Sequence, residues 1–240
     1  MQHDGNMPDP CGFLPSRDGF AFTNSWPSWP AVQLETSFGT IGVGNAAAGF
    51  CGGMVFAALD YWHAAIPPPA ARPTPGEPLY GYLVRRLIHS WRLPAGGARY
   101  YRWMTLPDGD ADRALPGTRL GTGRGIAWRT IASQWPRIRA DLDHGVPAAL
   151  GVVTVASANP AKLGLNHQVL AYGYVRRGTE VMIRVYDPNS GQHDGIAIWF
   201  DTAAPEGSAR AAPPLFEHNL SLGRPVRGFF RTPYAPVTPP

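Results

Sequence analysis

Three side chains in this sequence have the chemistry of a nucleophilic catalyst, and the first is Cys51. It stands in Gly49-Phe50-Cys51-Gly52-Gly53-Met54, directly before an apolar run that ends at Trp62. That run predicts a buried helix with Cys51 at its N-terminus. The positive end of a helix dipole stabilises a thiolate, which is the form of cysteine that attacks a carbonyl carbon. The other interpretation of Cys51 is a small core residue beside a glycine turn.

His167 and Asp187 fit the two remaining roles. His167 opens a run predicted to be a strand, and Asp187 closes the next predicted strand. The turn signal between them, Arg177-Gly178, predicts an antiparallel hairpin, which brings the start of one strand beside the end of the other. An imidazole held by an acceptor on one nitrogen can face a nucleophile with the other. Taken alone, the pair also fits a strand-end histidine and an aspartate that starts a turn.

The elements that must position these side chains change in type along the chain. Helices are predicted from Cys51 to about His63, from Leu79 to Trp91 and from Trp128 to His144, with a kink or break at Pro136. Strands are predicted at Ala148–Ala156, Gln168–Val175, Val181–Tyr186 and Ile196–Phe200, with an edge strand at Phe229-Phe230. Helices followed by strands predict an α+β fold rather than an alternating α/β fold.

We predict a single catalytic domain over residues 31–232, with a helical lobe at about 31–145 and a β lobe at about 146–232. Residues 1–30 are rich in Gly, Pro, Asp and Asn and predict an irregular N-terminal arm, which packs on the body in part through its aromatic residues. The remaining predicted segments are an extended segment or short strand at 31–41, a loop over most of 92–125 and a proline-rich tail at 233–240.

Composition argues against several classes of function. The chain has 240 residues, of which 44% are hydrophobic and 16% charged, as expected for a folded globular protein. The net charge is +4, but the arginines form no patch or stripe, so we expect no nucleic-acid partner. No apolar stretch approaches the roughly 20 residues of a membrane helix. The histidines and cysteines lack zinc-site spacing, so we expect no metal and no cofactor.

The cysteine content bears on the cellular compartment. Two cysteines, Cys11 and Cys51, are too few for a secreted fold held together by disulfides. A Cys11–Cys51 disulfide would disable Cys51 as a nucleophile, and the sequence leaves this alternative open. Because no basic segment followed by an apolar core is seen near the N-terminus, we expect a cytoplasmic location or export without a classical signal peptide.

The order of these residues and their surroundings resembles the papain-like cysteine peptidases, in particular the bacterial C39-like peptidases. The resemblance covers roughly residues 40–200. It is carried by Asn45 through Met54, by Gly145-Val146-Pro147-Ala148, and by Asn166-His167-Gln168-Val169 with Tyr186-Asp187-Pro188. It implies a papain-like α+β fold, in which a helical N-terminal lobe carries the nucleophile helix and an antiparallel sheet forms the C-terminal lobe.

The resemblance also implies roles for four residues. Cys51 would be the nucleophile, His167 the general base and then acid, and Asp187 the group that orients His167. Papain-like enzymes place an amide side chain upstream of the cysteine in the oxyanion hole, and the residue six positions before Cys51 is Asn45. The other interpretation of Asn45 is a turn residue.

These residues predict a cysteine-dependent hydrolase that cleaves peptide or isopeptide bonds in a peptide or protein substrate through an acyl-enzyme. The same triad would support acyl transfer to an amine, and the same fold would support a non-catalytic binding module. The sequence determines neither the substrate nor the oligomeric state.

Overall fold

The computed structural model has helices and an antiparallel sheet, so the fold belongs to the α+β class. It describes residues 11–26, 32–36, 39–43, 50–91, 95–109, 124–203 and 216–240. The helices are α1 (Pro15–Asp18), α2 (Cys51–His63), α3 (Pro78–Trp91), α4 (Ala95–Met104), α5 (Ile126–Trp128) and α6 (Trp135–Asp143). The strands are β1 (Val32–Thr36), β2 (Gly39–Val43), β3 (Ala148–Val153), β4 (His167–Arg177), β5 (Glu180–Tyr186), β6 (Ala197–Asp201), β7 (Glu217–His218) and β8 (Gly228–Arg231).

Six strands of the described chain form one antiparallel sheet in the order β7-β6-β5-β4-β3-β8. Strand β4 lies inside this sheet, between β3 and β5. Its side chains alternate between two hydrophobic clusters, with Val169 and Ala171 on one face and Leu170 and Tyr172 on the other. Because both faces are covered, the sequence of β4 is a nearly continuous apolar run. Strands β1 and β2 pair separately as a hairpin.

Helix α2 has the bounds that the sequence predicts and packs against α3 and β4. Every residue from Cys51 to Tyr61 is buried. A Cβ at Gly53 would lie 2.3 Å from the carbonyl oxygen of Leu83, and one at Gly52 would lie 2.2 Å from Ser90 Oγ. The two glycines after the cysteine therefore allow α2 to approach α3 closely, which fixes the N-terminal turn of α2 against its neighbours.

The predicted helices that precede the sheet cover both of its faces. Helices α2 and α3 lie on one face, whereas Ile138 and Leu142 of α6 pack into the cluster on the other face. A π-helical segment, Arg129–Gln134, joins α5 to α6, and α6 begins at Trp135. The change of helix type beside Pro136 agrees with the predicted break, because proline removes a backbone donor at that point.

The prediction of a loop over most of 92–125 is wrong for α4. Tyr100 and Trp103 of this helix pack on Phe230, with ring centroids 4.8 Å and 5.0 Å apart. This burial stabilises a helix that its glycine-rich start disfavours. At 31–41 the short-strand alternative is confirmed by β1, which pairs with β2 as a hairpin. A 3-10 helix, Pro160–Leu165, leads into β4.

The N-terminal arm packs on the body, as its aromatic residues predict. Phe13, Phe20, Phe22 and Trp26 are buried in the cluster that contains α2 and α3. The backbone N–H of Phe20 donates to the hydroxyl of Tyr186 at 3.3 Å, which joins the arm to β5. Within the described residues, no helix is both long enough and apolar enough to cross a membrane.

Candidate active site

The β4–β5 hairpin brings His167 and Asp187 into direct contact. His167 is the first residue of β4, and Asp187 follows the last residue of β5. Nε2 of His167 lies 2.8 Å from Oδ1 of Asp187. Both side chains are almost completely buried, with residue exposures of 4% and 0%. The contact is the one that the hairpin geometry predicts from the sequence.

The carboxylate of Asp187 is held by several donors besides the imidazole. The backbone N–H of Asn189 donates to Oδ1 at 2.9 Å, and the backbone N–H of Ser221 donates to Oδ2 at 2.9 Å. Burial by itself raises the pKa of Asp187, but the charge of His167 and these hydrogen bonds outweigh burial and lower the pKa below its ordinary value. Asp187 is therefore ionised at neutral pH.

Cys51, at the N-terminus of α2, lines the same small cavity as His167. Because Nε2 of His167 is bound to Asp187, Nδ1 is the nitrogen that remains for the thiol. Burial lowers the pKa of His167, but the charge of Asp187 and then the charge and hydrogen bonding of Cys51 raise it to about 10. The site therefore favours the imidazolium form of His167.

Three further polar residues lie near Cys51, and no role was predicted for them from the sequence. The hydroxyl of Tyr100, from α4, donates to the carbonyl oxygen of His167 at 3.0 Å. Burial and then the charge of Cys51 raise the pKa of Tyr100, so its phenol stays protonated. Nε2 of Gln168 donates to Ser90 Oγ at 3.2 Å. A small cavity of about 10 Å³ is lined by Cys51, Trp91, Tyr100, Leu163, Gly164, Asn166, His167 and Gln168.

The alternative of a disulfide between the two cysteines is not realised. Within the described residues, no disulfide joins Cys11 to Cys51. Cys11 packs on the opposite side of the sheet, where its Sγ lies 4.0 Å from the carbonyl oxygen of Leu142. Cys51 is therefore a free thiol. Asn45, the predicted oxyanion donor, lies outside the described residues.

The stability of the protein should depend on pH through His167. The folded-state pKa of about 10 lies above the ordinary value of 6.5, so the stabilisation from this group is fully present below about pH 6.5 and is lost as the pH rises through about 10. We expect the free energy of unfolding in urea to fall by a few kcal/mol between about pH 7 and about pH 10. His167→Gln should remove most of this dependence. An equally steep dependence in that variant would contradict the assignment.

No protein-family model matches this chain, and no curated protein matches it. A search of solved structures finds no match either. The candidate active site is therefore defined by the geometry of Cys51, His167 and Asp187 in this chain, together with the hydrogen bonds that hold them.

Proposed function

We propose that this protein is a papain-like cysteine hydrolase that cleaves peptide or isopeptide bonds. One observation carries the proposal: Nε2 of His167 lies 2.8 Å from Asp187, and His167 lines the same small cavity as Cys51. If His167 and Asp187 served only to stabilise the hairpin, a cysteine at the N-terminus of a neighbouring helix would not be required beside them. Strongly perturbed titratable groups that meet a potential nucleophile are typical of catalytic sites.

The first half of the reaction forms an acyl-enzyme. The Cys51 thiolate attacks the carbonyl carbon of the substrate, a carbon–sulfur bond forms, and the carbonyl electron pair moves to oxygen. The intermediate collapses as the His167 imidazolium donates its proton to the amine nitrogen and the carbon–nitrogen bond breaks. The amine leaves, and the acyl group remains on Cys51 as a thioester.

The second half hydrolyses the thioester. Neutral His167 takes a proton from a water molecule, whose oxygen attacks the acyl carbon. The carbon–sulfur bond then breaks, the carboxylic acid leaves, and the thiolate–imidazolium pair forms again. Asp187 fixes the imidazole and stabilises its charged form, and it stays ionised because two backbone N–H groups donate to it.

The oxyanion that forms during attack needs hydrogen-bond donors. Cys51 is the first residue of α2, and an N–H at this position has no acceptor within its own helix. That N–H and the positive end of the helix dipole can stabilise the negative oxygen. The side chain of Asn45 stays a predicted second donor.

The papain-like part of the proposal rests on how the nucleophile helix meets the sheet. Helix α2 packs on β4, with Leu170 and Tyr172 in the same cluster as Val55 and Leu59. The cysteine at the start of this helix and the histidine at the start of this strand occupy the positions that the resemblance to C39-like peptidases implies. This arrangement supports a cysteine hydrolase over a binding module, because a binding module requires neither residue.

The proposal is tested with a library of peptides from a digested proteome. We expect new peptide termini with the wild-type protein and with Cys11→Ala, which removes the other thiol, but none with Cys51→Ala. Intact-mass analysis should show an acyl adduct on Cys51, since the thioester precedes hydrolysis. Conjugates with an added amine would instead indicate acyl transfer by the same triad. The absence of both new termini and an adduct would contradict the proposal.

A further inference from the structure

We propose that Asn24 is a positioning residue that joins the N-terminus of the nucleophile helix to the turn that carries Asp187. The inference rests on the proposed function, because it assigns Asn24 the task of keeping Cys51 in register with His167. Asn24 lies in the N-terminal arm, remote in sequence from every residue of the candidate triad. It is a positioning residue because it reaches the triad only through other groups.

Asn24 uses its backbone and both ends of its amide side chain to connect two elements. Its Oδ1 accepts the backbone N–H of Phe50 at 2.8 Å, directly before Cys51. Its Nδ2 donates to Oδ1 of Asn189 at 3.0 Å, and its backbone N–H donates to the carbonyl oxygen of Pro188 at 2.8 Å. One side chain thereby links the start of α2 to the turn after β5.

The contacts of Asn24 continue directly into the candidate triad. The backbone N–H of Asn189 donates to Oδ1 of Asp187 at 2.9 Å, the same oxygen that lies 2.8 Å from His167. His167 in turn lines the same small cavity as Cys51, the residue after Phe50. These contacts form a closed loop from Phe50 through Asn24 to Asp187 and back to Cys51. A shift of Asn24 would therefore change the distance between Cys51 and the His167–Asp187 pair.

An uncharged amide suits this position. Phe50 is the residue before α2, and in the described structure its side chain makes no capping hydrogen bond, so Asn24 Oδ1 supplies a local acceptor. The described titratable groups that act on Cys51 are His167 of β4 and Tyr100 of α4, with Asp187 behind His167. A carboxylate in place of the amide would add a negative charge close to the helix N-terminus and would oppose a thiolate there.

The arm has other anchors that do not involve Asn24. Nε2 of Gln192 donates to the carbonyl oxygen of Gly19 at 3.0 Å, and the backbone N–H of Phe20 donates to the hydroxyl of Tyr186 at 3.3 Å. A substitution at Asn24 therefore leaves the arm attached to the body. An effect of the substitution on the candidate site can therefore be distinguished from detachment of the whole N-terminal arm.

The test is Asn24→Asp, which keeps the size of the side chain and its acceptor for Phe50 but replaces the donor to Asn189 with an oxygen. Iodoacetamide labelling of Cys51 is followed at about pH 6 and about pH 9, and the rate at about pH 9 is divided by the rate at about pH 6. We expect this ratio to be about tenfold larger in Asn24→Asp than in wild type, because the thiolate is disfavoured at low pH. A change in access alone would alter both rates equally. Gln192→Glu, an amide-to-acid change on another anchor of the arm, should keep the wild-type ratio.

An unchanged ratio in folded Asn24→Asp would overturn the inference and leave the proposed function intact. If wild-type Cys51 shows no His167-dependent labelling at about pH 6, the proposed function fails first and the inference fails with it. If Asn24→Asp does not fold, Asn189→Ala removes the acceptor of Asn24 Nδ2 while the backbone N–H to Asp187 remains. That variant should also raise the ratio, and a wild-type ratio in it would overturn the inference.

Discussion

Replacing His167 with alanine should slow the alkylation of Cys51 by iodoacetamide about 100-fold at about pH 6, where an ordinary thiol is almost entirely protonated. The expectation rests on the proposed function: an imidazolium next to a cysteine favours the thiolate, and Asp187 and Cys51 raise the pKa of His167 to about 10, so the imidazolium is present at this pH. The variant removes this cation and leaves the Asp187 carboxylate buried nearby, which further disfavours a second negative charge. Labelled peptides quantified by mass spectrometry give the rate for each cysteine separately.

Two internal comparisons distinguish activation from access. Cys11 packs in the cluster on the face of the sheet opposite α2, so His167→Ala should leave its labelling rate unchanged. His193→Ala removes an exposed histidine from the turn after Asp187 and should keep wild-type labelling of Cys51. At about pH 9.5, where ordinary thiols ionise, the rates of wild type and His167→Ala should converge. Equal labelling of Cys51 in both proteins at about pH 6 would show that His167 does not activate it.

Asp60→Asn should lower the free energy of unfolding by about 3–5 kcal/mol, because it leaves a buried guanidinium without its counter-charge. Asp60 and Arg86 have exposures of 1% and 2%, and Nε of Arg86 lies 2.6 Å from Oδ2 of Asp60. The hydroxyls of Tyr82 and Tyr234 also donate to the Asp60 carboxylate, each at 2.6 Å. Urea unfolding followed by tryptophan fluorescence measures the loss.

The polar cluster formed by Asp60, Arg86, Tyr82 and Tyr234 also holds the predicted proline-rich tail. The backbone N–H of Val237 donates to Asp60 at 2.9 Å, and Arg86 donates to the carbonyl oxygen of Ala235 at 2.9 Å. Tyr234 belongs to the same cluster through its hydroxyl. The tail therefore packs on α2 and α3, and Asp60→Asn should expose it to proteolysis as well as lower stability.

Two variants define the controls for Asp60→Asn. Arg139→Gln breaks an exposed Arg139–Asp143 pair with an N–O distance of 3.2 Å and should cost less than about 1 kcal/mol. Asp60→Asn combined with Arg86→Met removes both charges, so its cost should be smaller than the sum of the two single changes. A loss below about 1 kcal/mol for Asp60→Asn, or strict additivity in the double variant, would contradict this account.

Local pattern was sufficient to predict much of the fold. The apolar run after Cys51 predicted α2 from Cys51 to about His63, and the structure has this helix at Cys51–His63. The Arg177-Gly178 turn predicted the β4–β5 hairpin, and Gly178 has the positive φ of 61° that such a turn allows to glycine. These elements were predictable because their signals lie within a short stretch of chain.

Local pattern failed where contacts distant in sequence decide the structure. Helix α4 forms because Tyr100 and Trp103 pack on Phe230, which belongs to β8 near the other end of the chain. The predicted edge strand at Phe229-Phe230 is confirmed as β8, but its pairing with β3 is likewise a contact between segments distant in sequence. Neither contact leaves a periodic signal in the sequence, so composition alone predicted a loop at residues 95–104.

The sequence by itself determined that His167 and Asp187 meet, because a short turn between two strands leaves them at the same end of one hairpin. Only the tertiary structure decided that Cys51 and His167 share a cavity, since that depends on the close approach of Gly52 to Ser90 of α3 and Gln168 of β4. Tertiary structure alone also placed Asn24 between the helix and the Asp187 turn, across a separation of 165 residues to Asn189. A hydrogen bond between such distant residues forms only after the hydrophobic core has fixed the elements that carry them.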